Sequence, residues 1–172
     1  MNLEYRNLLN SNFHPASRVW VYQSNRLFTL SEALEVESIL QTFVAQWQSH
    51  GSPVKGEAHL FFGQFIILIA DDTADTIGGC STDTSVRMIK DIAQQFNVSL
   101  FDRTHLAFVI KDKIQILPMN QIQYAVQNGF IDDDTLYFNN IVQTKKELEE
   151  NWIISVKNSW LASKISNQPK TV

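Results

Sequence analysis

Apolar residues recur along the chain with two different periods. At Val36, Ile39, Leu40, Phe43, Val44 and Trp47 they follow the three-and-four spacing that lines one face of a helix. Thr29 stands three residues before Glu32, the spacing of a capping box, in which each side chain bonds the other residue's backbone N–H. Gly51 and Pro53 are expected to stop this helix. A second helix is expected over 83–96, with Val86, Ile89, Ile92, Ala93 and Phe96 on its apolar face.

The other period is that of strands. Residues 18–24 (Arg-Val-Trp-Val-Tyr-Gln-Ser) are rich in β-branched and aromatic types, with Trp20 and Tyr22 on one face and Val19 and Val21 on the other. The run Phe65-Ile66-Ile67-Leu68-Ile69-Ala70 is apolar at every position, which marks a strand buried on both faces. Residues 54–70 therefore read as a hairpin turning at Gly63-Gln64, with the alternative of one unbroken strand. Two further strands are expected at 106–110 and 114–117, joined through Lys111-Asp112-Lys113, and another over 136–142. A short helix after Pro118 should end at Gly129. A second capping-box spacing, Thr144 to Glu147, opens a C-terminal helix or turn.

Strand, helix, hairpin, helix, strand is a βαββαβ order. It predicts an α+β fold with a mainly antiparallel, ferredoxin-like sheet and a C-terminal helical extension. A parallel α/β sheet follows instead if 54–70 is one strand. Either way residues 1–172 are expected to form one domain, with 1–13 and 162–172 loosely ordered. In the hairpin topology the end of the 65–70 strand falls beside Arg18. In the parallel topology it meets Gln23 and Arg26.

Composition narrows the function classes. A chain of 172 residues, 44% hydrophobic, is long enough to bury a core. Its 14 basic and 18 acidic residues give a net charge of −4, which is the wrong sign for a dedicated nucleic-acid binder. A single cysteine excludes an internal disulfide and any multi-cysteine metal site, and a free thiol suits a reducing compartment. The N-terminus shows no basic segment leading into an apolar one, and no apolar run approaches the ~20 residues needed to span a bilayer. A cytoplasmic protein without membrane insertion is expected.

The candidate chemistry centres on the stretch Gly78-Gly79-Cys80-Ser81-Thr82-Asp83-Thr84-Ser85. Glycine lets a backbone approach a ligand closely, and free N–H groups at a helix N-terminus attract anions. A thiol just ahead of a helix can have a lowered pKa, which makes Cys80 a candidate nucleophile or redox group, with Asp83 or a nearby arginine tuning it. The candidate ligand-binding set is Arg18, Gly79, Cys80, Ser81, Asp83 and Ser85, with Gln23 and Arg26 joining if the sheet is parallel. Ser81 or Thr82 capping the following helix accounts for the same residues without any ligand. Asp102-Arg103-Thr104-His105 is a further polar cluster, but no serine, cysteine or acid stands at a triad spacing from His105. The acidic runs at 71–75 and 132–134 match no calcium loop, and the four histidines are scattered, so neither a metal nor a cofactor is expected.

Three stretches also carry a resemblance. Residues 18–26 (Arg-Val-Trp-Val-Tyr-Gln-Ser-Asn-Arg), 79–87 (Gly-Cys-Ser-Thr-Asp-Thr-Ser-Val-Arg) and 144–148, with Ser159-Trp160, resemble an uncharacterised family of small bacterial proteins often labelled "ABC transporter ATPase". The similarity runs from about residue 14 to 161 and implies a bacterial source but no established activity. The chain contains no G-x-x-x-x-G-K-[ST] phosphate loop, so ATP hydrolysis is not expected. Three readings remain open. One is a non-catalytic module binding a small anionic ligand or a protein partner through the Gly-Gly-Cys-Ser loop. A thiol-dependent enzyme using Cys80 is another, and a homodimeric interaction protein is the third.

Overall fold

The structure is a computed structural model that describes residues 1–73 and 79–165, with the backbone alone at 79–81. In chain order its elements begin with β1 (Arg18–Gln23), α1 (Leu30–Gln46), β2 (Gln48–Ser49), β3 (Ser52–Pro53), β4 (Gly56–Phe61), β5 (Phe65–Ala70) and α2 (Gly79–Gln95). They continue with β6 (His105–Ile110), β7 (Lys113–Pro118), α3 (Ile122–Gln127), β8 (Leu136–Phe138), α4 (Lys145–Asn151), β9 (Ile153–Ser155) and α5 (Ala162–Ile165). Helices and antiparallel strands are both plentiful, and the fold class is α+β. Internal contacts sort the chain into two compact units. The larger comprises Asn2–Asp102 with Asn140–Glu149, and the smaller Met1, Arg103–Asn139 and the described chain from Glu150.

In the larger unit the all-apolar run is the central strand, in the order β1-β5-β4, antiparallel throughout. Every residue of β5 is buried, as its lack of alternation requires. Residues 54–70 are thus a hairpin, and the parallel-sheet alternative is ruled out. Its turn differs by one position from expectation. The loop is Phe62-Gly63-Gln64, with Phe62 at φ 55° and Gly63 at φ 63°, and the Gln64 N–H donating to Phe61 O at 3.0 Å. Positive φ at both central residues is the signature of a type I′ turn, whose twist matches that of the flanking strands where types I and II would splay them.

One face of this sheet carries Trp20, Tyr22, Ala58, Leu60, Ile66 and Leu68 against α1 (Val36, Leu40) and α2 (Ile89, Ile92, Phe96). The capping box is present as expected: Glu32 N–H donates to Thr29 Oγ1 at 3.3 Å, and Thr29 N–H to Glu32 Oε2 at 2.8 Å. Beyond α1 the chain makes a small hairpin, β2–β3, turning at His50 (φ 51°) and Gly51 (φ 83°). On the opposite face Val19, Val21, Phe61, Phe65, Ile67 and Ile69 are buried. The N-terminal segment belongs to this side. Residues 1–13, expected to be loosely ordered, bury Tyr5, Leu9 and Phe13. The Tyr5 ring lies 5.7 Å from that of Phe61, and its hydroxyl donates to Leu148 O at 2.5 Å.

Two expectations are corrected here. The ferredoxin-like order would place a fourth strand beside β1. That edge is instead occupied by the returning chain, where Val19 N–H donates to Gln143 O at 2.9 Å and Arg18 bridges Thr144. β6 pairs with β7 and β8 in a separate sheet, ordered β7-β6-β8-β9. The second correction concerns α2, which starts at Gly79, four residues before the expected 83. Ser and Thr cost at most ~0.7 kcal/mol each relative to alanine inside a helix, so the Ser-Thr-Asp-Thr-Ser run is no barrier to one.

The smaller unit packs Phe108, Tyr137, Ile122, Ala125, Ile131, Val156 and Leu161 into its own core. Trp160 partly covers this core, and its Nε1–H donates to the Tyr137 hydroxyl at 3.1 Å. Among the described residues, no helix is long and apolar enough to cross a membrane.

Candidate functional site

The register of the central sheet determines which side chains meet at the end of β5. Ala70 pairs with Arg18 on one side and with Gly56 on the other, so the starts of β1 and β4 flank it. This is the edge the hairpin topology predicts. The chain leaves the buried strand into Asp71 and Asp72, and each carboxylate meets a cation there. Lys55 Nζ lies 2.7 Å from Asp71 Oδ2, and Arg18 Nε lies 3.9 Å from Asp72 Oδ2.

The two pairs are built differently. Asp71 is saturated: besides Lys55 it accepts from the Thr73 hydroxyl at 2.6 Å, the Thr73 N–H at 3.3 Å and the His14 N–H at 3.4 Å. Lys55, and then Thr73, hold its carboxyl well below the usual range. Lys55 also donates to Asn12 O at 3.0 Å and lies 5.1 Å from the centre of the Phe13 ring. This pair ties the N-terminal segment to the sheet. Arg18 is held more loosely. Its guanidinium sits 5.0 Å above the Trp20 ring, its side chain is 44% exposed, and its approach to Asp72 is too long for a good hydrogen bond.

At the other end of β1 the polar run is committed to structure. Arg26 forms a two-point pair with Glu32, at 2.8 and 2.9 Å, and donates to Phe96 O at 2.7 Å. Its hydrogen bonds, with that from the Thr29 N–H, pull the Glu32 carboxyl down to about 2. Gln23 is buried and accepts from Asn140 Nδ2 at 2.8 Å. Ser24 is buried too, its backbone exchanging bonds with Gln64. Neither Gln23 nor Arg26 faces the end of β5.

Of the remaining candidates, Gly79, Cys80 and Ser81 lie in the first turn of α2 rather than ahead of it. With the helix already begun at Gly79, neither Ser81 nor Thr82 stands at its N-cap position. Gly78 and the side chains of Cys80 and Ser81 lie outside the described residues. Asp83 is exposed, whereas Ser85 is buried and donates to Thr82 O at 2.7 Å within the helix. In the smaller unit, Asp132 accepts from Asp134 N–H, Thr135 N–H and the Thr135 hydroxyl, closing a turn. The Thr135 hydroxyl is the chief cause of its lowered pKa. His105 shares a hydrogen bond with the Thr104 hydroxyl at 3.1 Å. Among the described residues, no group of three or more His, Cys, Asp or Glu side chains could hold a metal ion.

Sequence reasoning placed Arg18 beside the end of β5 but missed the aspartates that meet it there. The signal was there: two aspartates directly after a fully apolar strand must lie at the strand's end, beside whatever begins its neighbours. No family model matches the chain, and no curated protein or solved structure matches it either.

Proposed function

We propose that the protein is a non-catalytic binding module whose Arg18 edge receives the anionic group of a small ligand. The observation that carries this reading is the state of Arg18. The guanidinium is oriented by Trp20, half exposed, and joined to Asp72 only at 3.9 Å. Stacking on an aromatic face positions an arginine while leaving its planar fork of donors available, and that fork matches a carboxylate or phosphate. Arg26 provides the contrast, since its donors are already spent on Glu32 and Phe96. The next element in sequence after Asp72 is α2, whose first backbone N–H groups would add a second attraction for an anion. Gly79, Cys80, Ser81 and Asp83 all fall within the first five residues of that helix.

Thermal unfolding in the presence of a panel of small carboxylates and phosphates tests the reading, with the parent chain compared with Arg18→Gln. An anion that raises the Tm of the parent and not of the variant is the expected result. If no anion raises the parent's Tm, or one stabilises both proteins equally, Arg18 is not the receptor. ATP and magnesium belong in the same panel. The absent phosphate loop predicts no saturable, magnesium-dependent hydrolysis in the purified protein.

A further inference from the structure

The smaller unit contains an open cleft of about 540 Å³, inside the ~300–1,000 Å³ range of small-molecule sites. Its floor is one face of the β6–β7 hairpin. The pairings Ile110↔Lys113, Phe108↔Gln115 and Leu106↔Leu117 put Ile110, Gln115 and Leu117 on the same side of the sheet. The facing wall is Tyr124 of α3 and Phe130 just beyond it. These aromatics are 64% and 50% exposed, although an apolar floor lies beside them.

The wall is not loose. Asn128 N–H donates to Tyr124 O at 3.0 Å, and Gly129 turns at φ 72°, which lets Phe130 N–H reach back to Ala125 O at 2.8 Å. The cleft therefore stands open with two rings held on its rim. A monomer gains free energy by burying rings of this size, so leaving them exposed beside an apolar floor marks a place for a ligand.

The charge at one end of the cleft says which ligand. The β6–β7 hairpin turns through Lys111 (φ 49°) and Asp112 (φ 59°), so Lys111 and Lys113 both border the cleft at its tip. No acidic residue lines it. Asp112, the carboxylate between the two lysines, is paired with the N-terminal ammonium at 3.4 Å. Neither lysine ammonium has an ion-pair partner among the described residues. We propose that this cleft binds an amphipathic small-molecule anion, with an aliphatic or aromatic body against Ile110, Leu117, Tyr124 and Phe130 and a carboxylate between Lys111 and Lys113. A wholly apolar ligand would leave the two cations unused, and a small inorganic anion would leave the aromatic wall uncovered. A bilayer surface fits poorly, because the rings border a concavity instead of crowning a protrusion. The proposal does not depend on the Arg18 edge, which belongs to the larger unit.

Decanoate, kept below its micellar concentration, is a suitable probe, with 1-decanol as its uncharged counterpart. Both are titrated into the whole chain and followed by amide chemical shifts. Decanoate should perturb Gln115, Tyr124 and Phe130 most strongly and bind at least about five-fold more tightly than decanol. Lys111→Gln with Lys113→Gln should remove that preference, weakening decanoate about five-fold or more while leaving decanol unchanged. Tyr124→Ser should weaken both ligands, and Arg18→Gln neither. The three changed cleft residues are exposed, and a parent-like spectrum confirms that each variant folds. Equal affinity for decanoate and decanol, shifts centred elsewhere, or no shifts at all would overturn the proposal. So would binding of the parent to phosphatidylglycerol vesicles without any response to decanoate, which would assign the lysines and rings to a membrane surface.

Discussion

Tyr5 offers the most direct test of whether the N-terminal segment belongs to the core. Its ring is almost fully buried, against Phe61 and Phe62, and its hydroxyl donates to Leu148 O at 2.5 Å. Leu148 lies in α4, a seven-residue helix, so its carbonyl is among the last four, which lack partners inside a helix. Tyr5→Phe keeps the packing and strands that carbonyl in a buried place, at a cost of ~1–3 kcal/mol. Tyr5→Ala removes the ring as well and should cost ~3–5 kcal/mol, a large share of the ~5–15 kcal/mol that holds a typical domain together. Urea unfolding followed by tryptophan fluorescence reads both, with the slope checked for constancy so that midpoints convert to free energies. The phenol also has a pH signature. Burial pushes its pKa up, with Arg6 opposing. The unfolded chain therefore ionises first, and stability is lost as pH rises above the ordinary tyrosine value near 10. Tyr5→Phe should remove that part of the alkaline loss. If both variants unfold within ~0.5 kcal/mol of the parent, residues 1–13 do not pack as described.

Three further outcomes are expected. A Cβ added at Gly56 would lie 2.7 Å from Cε3 and 2.8 Å from Cζ3 of buried Trp47, so Gly56→Ala should destabilise by ~1–3 kcal/mol, with Trp47→Phe in the same chain recovering part of it. A neutral Gly56→Ala would mean that the ring lies elsewhere. Thr29→Ala should lower stability by ~0.5–2 kcal/mol through loss of the N-cap, and an unchanged denaturant midpoint would place the start of α1 elsewhere. Glu32 keeps its charge in the folded protein down to about 2 because of Arg26. As the pH falls below the ordinary glutamate range the unfolded chain takes up the proton first, so stability drops between about pH 5 and pH 2. In Glu32→Gln the midpoint should fall less steeply across that window, and an identical slope in both proteins would refute the pairing.

What could be read from the sequence was local. The capping box at Thr29 and Glu32, the period-coded faces of β1 and the fully apolar β5 each depend on residues a few positions apart, and each is present. The hairpin, and with it the Arg18 edge, followed from Gly63 and the polar first arm. What failed depended on distant partners. Nothing within 105–110 says that β6 will pair with β7 and β8, because the edge it was expected to fill is taken by residues 143–144, far along the chain. Tyr5, Leu9 and Phe13 stand four apart in a largely polar segment where exposed Leu8 blurs the spacing, so no face is evident until the sheet they cover is in view. Arg26 resembled a binding residue for the same reason. Glu32 is close in sequence, but the Phe96 carbonyl that completes its contacts is not.

The strand β1 has a consequence for how the chain is made. The start of its outer edge, at Arg18 and Val19, is paired by residues 143–144, which leave the ribosome long after residues 18–23. At ~5–20 residues per second that interval is roughly 6–25 s. Throughout it the Val-Trp-Val-Tyr stretch has at most one neighbour, β5, and presents a row of unpaired N–H and C=O groups on its other side. A nascent chain in that state is a template for pairing with its own copies, and the same strand is what a holding chaperone would grip. Any truncation that stops short of residue 144 makes that interval permanent.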